Sequence, residues 1–231
     1  MNTDRLRSNL DAIREQMVRS AERSGRDPRS VRLVVVTKQT TAAAAEALVQ
    51  QGEFDLGENY PQELWRKAEA LSGYPVRWHL IGHLQSNKAR RTFPLVRMIH
   101  AVDSLKLLQI LDELAAHQPD PASVCLQVNC SGEASKHGWE PAALLDEAGG
   151  IAACQSVPIV GLMTMAAYSD DPEAARPAFR LLRQTRDALQ DRIGRALPEL
   201  SMGMSNDYQV AIEEGATWIR VGSAVWEGVE A

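Results

Sequence analysis

The chain has 231 residues, 45% of them hydrophobic and 24% charged, and a net charge of -5. That is enough for one globular domain with a sizeable core. The mild acidity argues against broad binding to nucleic acid or anionic membranes, which needs clustered Lys and Arg. The most basic local run, Lys88-Ala-Arg-Arg91, reads as a solvated helix face.

Three cysteines, Cys125, Cys130 and Cys154, form neither an even set nor a Cys-x-x-Cys spacing. This disfavours a disulfide framework and a zinc site and points to a reducing compartment. Met1 to Ser24 is charged throughout, without the apolar core of a signal peptide. No stretch approaches the roughly 18 apolar residues of a membrane span. The expectation is a cytoplasmic protein without a membrane or nucleic-acid partner.

The chain opens with a helix, since Leu6, Leu10, Ile13, Met17 and Val18 recur at three- and four-residue spacing. Residues 31–37 follow as a β-branched run with few polar breaks, the mark of a strand covered on both faces. Further apolar runs lie at 54–56, 78–81, 98–102, 124–128, 159–163, 200–202 and 218–221. Helical stretches alternate with them at 41–51, 58–72, 85–92, 104–117, 141–153, 172–192 and 206–214. Such alternation implies parallel pairing through βαβ crossovers. Eight units predict an α/β fold, one (β/α)8 barrel of the TIM type with an N-terminal helix, spanning 1–231 as a single domain. The alternative is an open doubly wound sheet, but no Gly-x-Gly-x-x-Gly follows any strand.

In such a barrel the chemistry sits where strands run into the following loops. Those ends carry Thr37-Lys38, Gly57-Glu-Asn59, Gly82-His83, Asn129-Cys-Ser131, Met163-Thr-Met165, Gly203-Met-Ser205 and Gly222-Ser223. Lys38 follows a very apolar strand. Desolvation favours a neutral amine, the nucleophile that forms an imine with an aldehyde. A lysine that snorkels to water is the alternative. Ser205 stands where a helix is expected to begin at about Asn206, so it reads as an N-cap, a phosphate-binding hydroxyl, or both. The small residue in Gly222-Ser223 allows close backbone approach. A phosphate site facing a lysine fits pyridoxal phosphate, and equally a Schiff-base aldolase acting on sugar phosphates. Arg220 interrupts the last strand and points away from the face of Ile219 and Val221. Pointing inward, it would reach a bound ring and, being unable to accept a proton bond, keep a pyridine nitrogen unprotonated. Pointing outward, it would be a surface residue.

Taken together, the chain resembles the pyridoxal-phosphate homeostasis family of the YggS/PROSC type, which is related in fold to the N-terminal barrel of alanine racemases. The blocks that carry the resemblance are Leu33-Val-Val-Val-Thr-Lys38, Gly57-Glu-Asn-Tyr60, Trp78 through Lys88, Val128 through Glu133, Gly161 through Met165, Leu200 through Ser205 and Ile219 through Ser223. The resemblance implies pyridoxal 5'-phosphate on Lys38, phosphate at Ser205, Gly222 and Ser223, and Arg220 at the pyridine nitrogen. It implies that Asn59, His83 and Met163 line the pocket. The chain departs from the family at Thr40-Thr41, where Pro is frequent, at Ser223, where Thr is common, and at Val225-Trp-Glu-Gly228, which replaces a usual Phe-Gly.

Two functions follow from this. One is a carrier that buffers or delivers the cofactor, with apo pyridoxal-phosphate enzymes as recipients and no catalytic or metal residue. The other is an amino-acid racemase, which needs an acid/base group on each face of the α-carbon. The related racemases take one of these from a second domain, and the expectation is that this chain has none. Tyr60 and Tyr168, near strand ends, are the candidates to substitute. Lys136 and His137 read as loop residues or as a secondary cofactor contact. The expected state is a monomer.

Overall fold

The computed structural model describes residues 1–133 and 137–229. Eight parallel strands close on themselves in chain order: β1 (Arg32–Val36), β2 (Asp55–Glu58), β3 (Arg77–Leu80), β4 (Met98–Val102), β5 (Ser123–Gln127), β6 (Ile159–Met163), β7 (Glu199–Ser201) and β8 (Trp218–Val221). Pairing of β1 with β8 shuts the barrel, with Val34 opposite Arg220 and Val35 opposite Val221. All eight expected strands are present, displaced by one or two residues at some ends.

The helices between them are α1 (Thr3–Arg23), α2 (Ala42–Gln50), α3 (Pro61–Ala70), α4 (Ser86–Thr92), α5 (Leu105–Ala115), α6 (Pro141–Asp146), α7 (Ala148–Ala153), α8 (Arg176–Ile193), α9 (Tyr208–Glu213) and α10 (Ser223–Trp226). Four differ from the expected spans by two or more residues at their start or by a break. Helix α3 begins at Pro61, three residues later than expected, because β2 runs to Glu58. The stretch 141–153 breaks at Glu147 into α6 and α7. Gly150 lies in α7, where a Cβ would meet Leu105 at 2.7 Å, so this segment packs unusually close to α5. Pro172–Ala175 is a 3-10 turn before α8. Helix α9 begins at Tyr208, two residues later than expected, because the Asp207 carboxylate accepts the Met204 N–H at 2.6 Å and holds the intervening residues in a turn.

Alternation divides the strand side chains between two cores. Val35, Leu56, Leu80, Leu126, Ile219 and Val221 join the layer between barrel and helices. Val34, Val36, Ile81, Met98, Ala101, Cys125, Met163 and Trp218 fill the barrel interior. At about 25 cal/mol per Å² of buried apolar surface, the outer layer supplies most of the driving force for folding. Helix α1 packs against α9 and α10, and its buried Asn9 donates to the carbonyls of Val225 and Glu227, both at 2.9 Å. The N-terminal helix thereby clamps the C-terminal turn in place.

Candidate cofactor site at the C-terminal mouth

Thr37 is where the first strand becomes a site. Its carbonyl accepts three bonds: from Lys67 Nζ at 2.6 Å, from the Thr40 N–H at 3.2 Å and from the Thr40 hydroxyl at 2.8 Å. Lys67 also donates to Glu58 Oε1 at 2.5 Å, and the Thr37 hydroxyl donates to the same oxygen at 2.6 Å. Both charged side chains are fully buried. This pair anchors the backbone immediately before Lys38, and Thr40 braces the turn that follows it. The turn runs through Gln39 at φ +63°, a left-handed conformation uncommon for a residue with a Cβ. Lys38 itself is exposed, and among the described residues its ammonium has no hydrogen-bond or ion-pair partner.

Lys38 borders a cavity of about 290 Å³, close to the lower end of small-molecule sites. Val36 ends β1 and Lys38 follows it, Asn59 and Ile81 directly follow β2 and β3, and Met165 and Tyr168 lie in the loop after β6. Met204, Ser205 and Asn206 follow β7, while Arg220, Gly222 and Ser223 close the wall from β8. Close packing sets Asn59, because a Cβ on Gly82 would overlap the Asn59 carbonyl.

Ser205 is not the N-cap of α9. Its Oγ accepts the N–H groups of Gly222 and Ala224, both at 3.3 Å, and so staples the two phosphate-type turns together. Gly203 permits the close approach of α9 to this turn: its φ is +96°, and a Cβ there would lie 2.6 Å from that of Ala211. The N–H groups of Ser205, Asn206 and Ser223 make no protein hydrogen bond among the described residues. Unpaired donors of this kind, with two hydroxyls beside them, suit an anion. Trp226, in the segment that departs from the family, donates its indole N–H to the Val36 carbonyl at 2.8 Å and ties α10 to β1.

Arg220 points inward, as alternation implies, and forms part of the cavity floor. It donates from Nη1 to Ser201 Oγ at 2.6 Å and from Nη2 to the Thr164 carbonyl at 2.9 Å. Burial lowers its pKa to about 10, which leaves it cationic at neutral pH. Below it lies a polar interior of His79, His100 and Ser201. Burial pushes both imidazoles below their usual range. Burial likewise pushes the Cys130 thiol up to about 11, so it is no nucleophile near neutrality.

Two residues expected at the pocket are elsewhere. Met163 is fully buried in the interior cluster with Val36 and Ile81, because the register of β6 turns it into the barrel beneath the cavity. The His83 ring is drawn aside by Asp103, whose carboxylate is 2.7 Å from Nδ1, and stacks on His137 at 4.6 Å between centroids. His137 thus contacts a protein neighbour, while Lys136 lies outside the described residues. The opposite mouth holds a cavity of about 370 Å³, but its charges are already paired, Arg77 with Asp55 and Arg32 with Glu199.

The alanine racemase N-terminal domain model matches residues 2–228. A pyridoxal phosphate homeostasis protein of Pseudomonas aeruginosa is 39% identical, over 94% of this chain and 93% of its own length. The chain belongs to the pyridoxal phosphate homeostasis protein family. The human member is 36% identical over 94% of this chain and 84% of its own. Solved PipY of Synechococcus elongatus with pyridoxal phosphate bound has a TM-score of 0.84 at 35% identity, covering 95% of this chain and 99% of that one. Alanine racemase of Clostridium difficile, at 16% identity and a TM-score of 0.75, shares the fold over 96% of this chain and 56% of its own. Among the described residues, no helix is long and apolar enough to cross a membrane.

Proposed function

We propose that the chain binds pyridoxal 5'-phosphate, holds it as a Schiff base on Lys38, and buffers or delivers it within the cytoplasm as a monomer, without significant turnover. The observation that carries this reading is the pairing of an unpartnered amine with an anion-type wall across one cavity. Support also comes from the family and from the relative solved with pyridoxal phosphate bound.

On this reading Lys38 would hold the aldehyde of the cofactor through its amine. Ser205 and Ser223 would take the phosphate through their hydroxyls and free backbone N–H groups, with Gly222 allowing its close approach. Arg220, in the cavity floor and donating only, would meet the pyridine nitrogen without protonating it. The bound group supplies an electron-accepting ring, and Arg220 blunts that property. Asn59 bounds the ring from the side of β2. The recipients are apo enzymes whose own lysine takes the aldehyde.

The racemase reading draws on Tyr168, which borders the cavity. Its ring is 86% exposed, and its hydroxyl donates to Asp170 at 3.2 Å. A general acid for the second face of an α-carbon needs a held position, and this ring is held only at a solvent-facing rim. The test is spectroscopic and chemical. Added pyridoxal phosphate gives a visible absorption band that Lys38→Ala abolishes, whereas a sugar-phosphate aldolase gives none. The loaded protein leaves the chirality of L- and D-alanine unchanged. Sustained racemisation lost in Lys38→Ala would overturn the carrier reading.

A further inference from the structure

The barrel interior holds a row of polar groups that joins its two mouths. Asp55 Oδ1 lies 3.1 Å from His79 Nε2, and His79 Nδ1 lies 2.9 Å from His100 Nε2. His100 Nδ1 lies 2.7 Å from Ser201 Oγ, which lies 2.6 Å from Arg220 Nη1. Both imidazoles and Ser201 are fully buried, and the Trp218 ring packs at 5.0 Å from His79 and 6.2 Å from His100. We propose that Asp55, His79, His100 and Ser201 are positioning residues for Arg220, forming one hydrogen-bonded chain of fixed polarity that sets the guanidinium in the cavity floor.

The polarity follows from the two ends. Asp55 takes two N–H bonds from Arg77, at 2.7 and 2.6 Å, and stays an ionised acceptor. Arg220 can only donate. Between them stand two rings and a hydroxyl, and a neutral ring donates from one nitrogen and accepts at the other. Neutral rings are favoured by burial and by the groups around them: Arg77 and Arg32 bear on His79, while His79, Arg220 and Arg32 bear on His100, and Asp55 opposes at His79. One assignment then satisfies every link. His79 Nε2–H donates to Asp55, His100 Nε2–H to His79 Nδ1, the Ser201 hydroxyl to His100 Nδ1, and Arg220 to Ser201.

The consequence reaches the cavity. With the Ser201 proton committed to His100, its lone pair faces Arg220 and holds Nη1, while the Thr164 carbonyl holds Nη2. Two held nitrogens fix the plane of the guanidinium. Because neither end can exchange roles, the chain orients Arg220 and does not carry protons to the cavity.

The chain itself stands apart from the cofactor reading; only its effect on bound pyridoxal phosphate rests on that reading. Long-range imidazole ¹⁵N NMR of the ligand-free protein at neutral pH is expected to show both His79 and His100 neutral with the proton on Nε2. Ser201→Ala should leave His100 protonated on Nε2, since His79 Nδ1 still accepts from it, but should shift the His100 Nδ1 resonance, whose hydrogen bond is lost, and Ser201→Thr should restore that resonance. In the loaded protein Ser201→Ala should weaken pyridoxal phosphate about tenfold and move its visible band. Ser201→Thr should reverse both effects, and the remote Asp55→Asn should move the band in the same direction as Ser201→Ala. An Nδ1–H tautomer or a cationic ring in the unsubstituted protein overturns the proposal. So does a Ser201→Ala protein with an unchanged His100 Nδ1 resonance and an unchanged band. Should Ser201→Ala not fold, the unsubstituted spectrum and Asp55→Asn decide. No band in the unsubstituted protein sinks the cofactor reading and leaves the NMR result to judge the chain.

Discussion

Replacing Lys67 by Met leaves Glu58 as a buried charge with no cation beside it. The two side chains are each 1% exposed, and among the described residues Glu58 Oε2 already lacks a hydrogen-bond partner. Water therefore has little room to compensate. Breaking a buried pair from one side costs about 3–5 kcal/mol. For a domain of this length, 1 kcal/mol moves the melting midpoint by about 2–4 °C, so the fall should be roughly 6–20 °C. Urea titration at neutral pH reads the first number, and thermal melting followed by circular dichroism reads the second. The loss has a local edge as well, since Lys67 holds the carbonyl just before Lys38. Removing both charges in Glu58→Gln/Lys67→Met should cost less than about 2 kcal/mol, because the burial penalty disappears along with the attraction. A single variant within about 1 kcal/mol of the unsubstituted protein would refute this reasoning. So would a double variant as unstable as the single one.

Three further outcomes are expected. Ser205→Ala should weaken pyridoxal phosphate by about 1–2 kcal/mol while leaving pyridoxal nearly unaffected, read by titrating both ligands. Gly203→Ala should lose more than about 2 kcal/mol in urea, since the added Cβ is both at φ +96° and 2.6 Å from Ala211. Acidification should destabilise the fold early. His79 and His100 are held below the ordinary 6.5, so below that pH the unfolded chain binds more protons than the native one, and stability falls as pH drops. The slope approaches about 1.4 kcal/mol per pH unit for each ring. Glu53, raised by burial, acts in the opposite sense above its ordinary 4.5. His100→Gln should flatten the decline between pH 6.5 and 5, as followed by urea midpoints.

The barrel was legible because its strands are contiguous and β-branched, and because Gly and Pro mark their ends. Val31 to Thr37 needs no distant information to be read as a covered strand. The inward turn of Arg220 was equally local, a matter of parity against Ile219 and Val221. The rest depended on contacts between distant residues. The role of Ser205 is set by backbone groups 17 and 19 residues away, and the neighbour that draws His83 aside is 20 residues away. His100 and Ser201 are 101 residues apart in sequence. Lys67 looked like any polar position on an amphipathic helix, and only the fold reveals that it lies on Glu58. Met163 illustrates the remaining limit: a strand-end residue can be placed along the barrel axis from sequence, but its depth beneath the mouth depends on the stagger between neighbouring strands.

Lys38 combines a backbone that is tied down with an amine that stands in water. On the carrier reading, any primary amine small enough to enter the mouth meets the linkage without a backbone rearrangement. Hand-over is then a collision between two molecules. Its rate climbs with acceptor concentration and does not level off at the pace of an opening step. Which acceptors are served depends on their abundance and reach, so the cofactor distributes itself among competitors much as a buffer shares protons among bases.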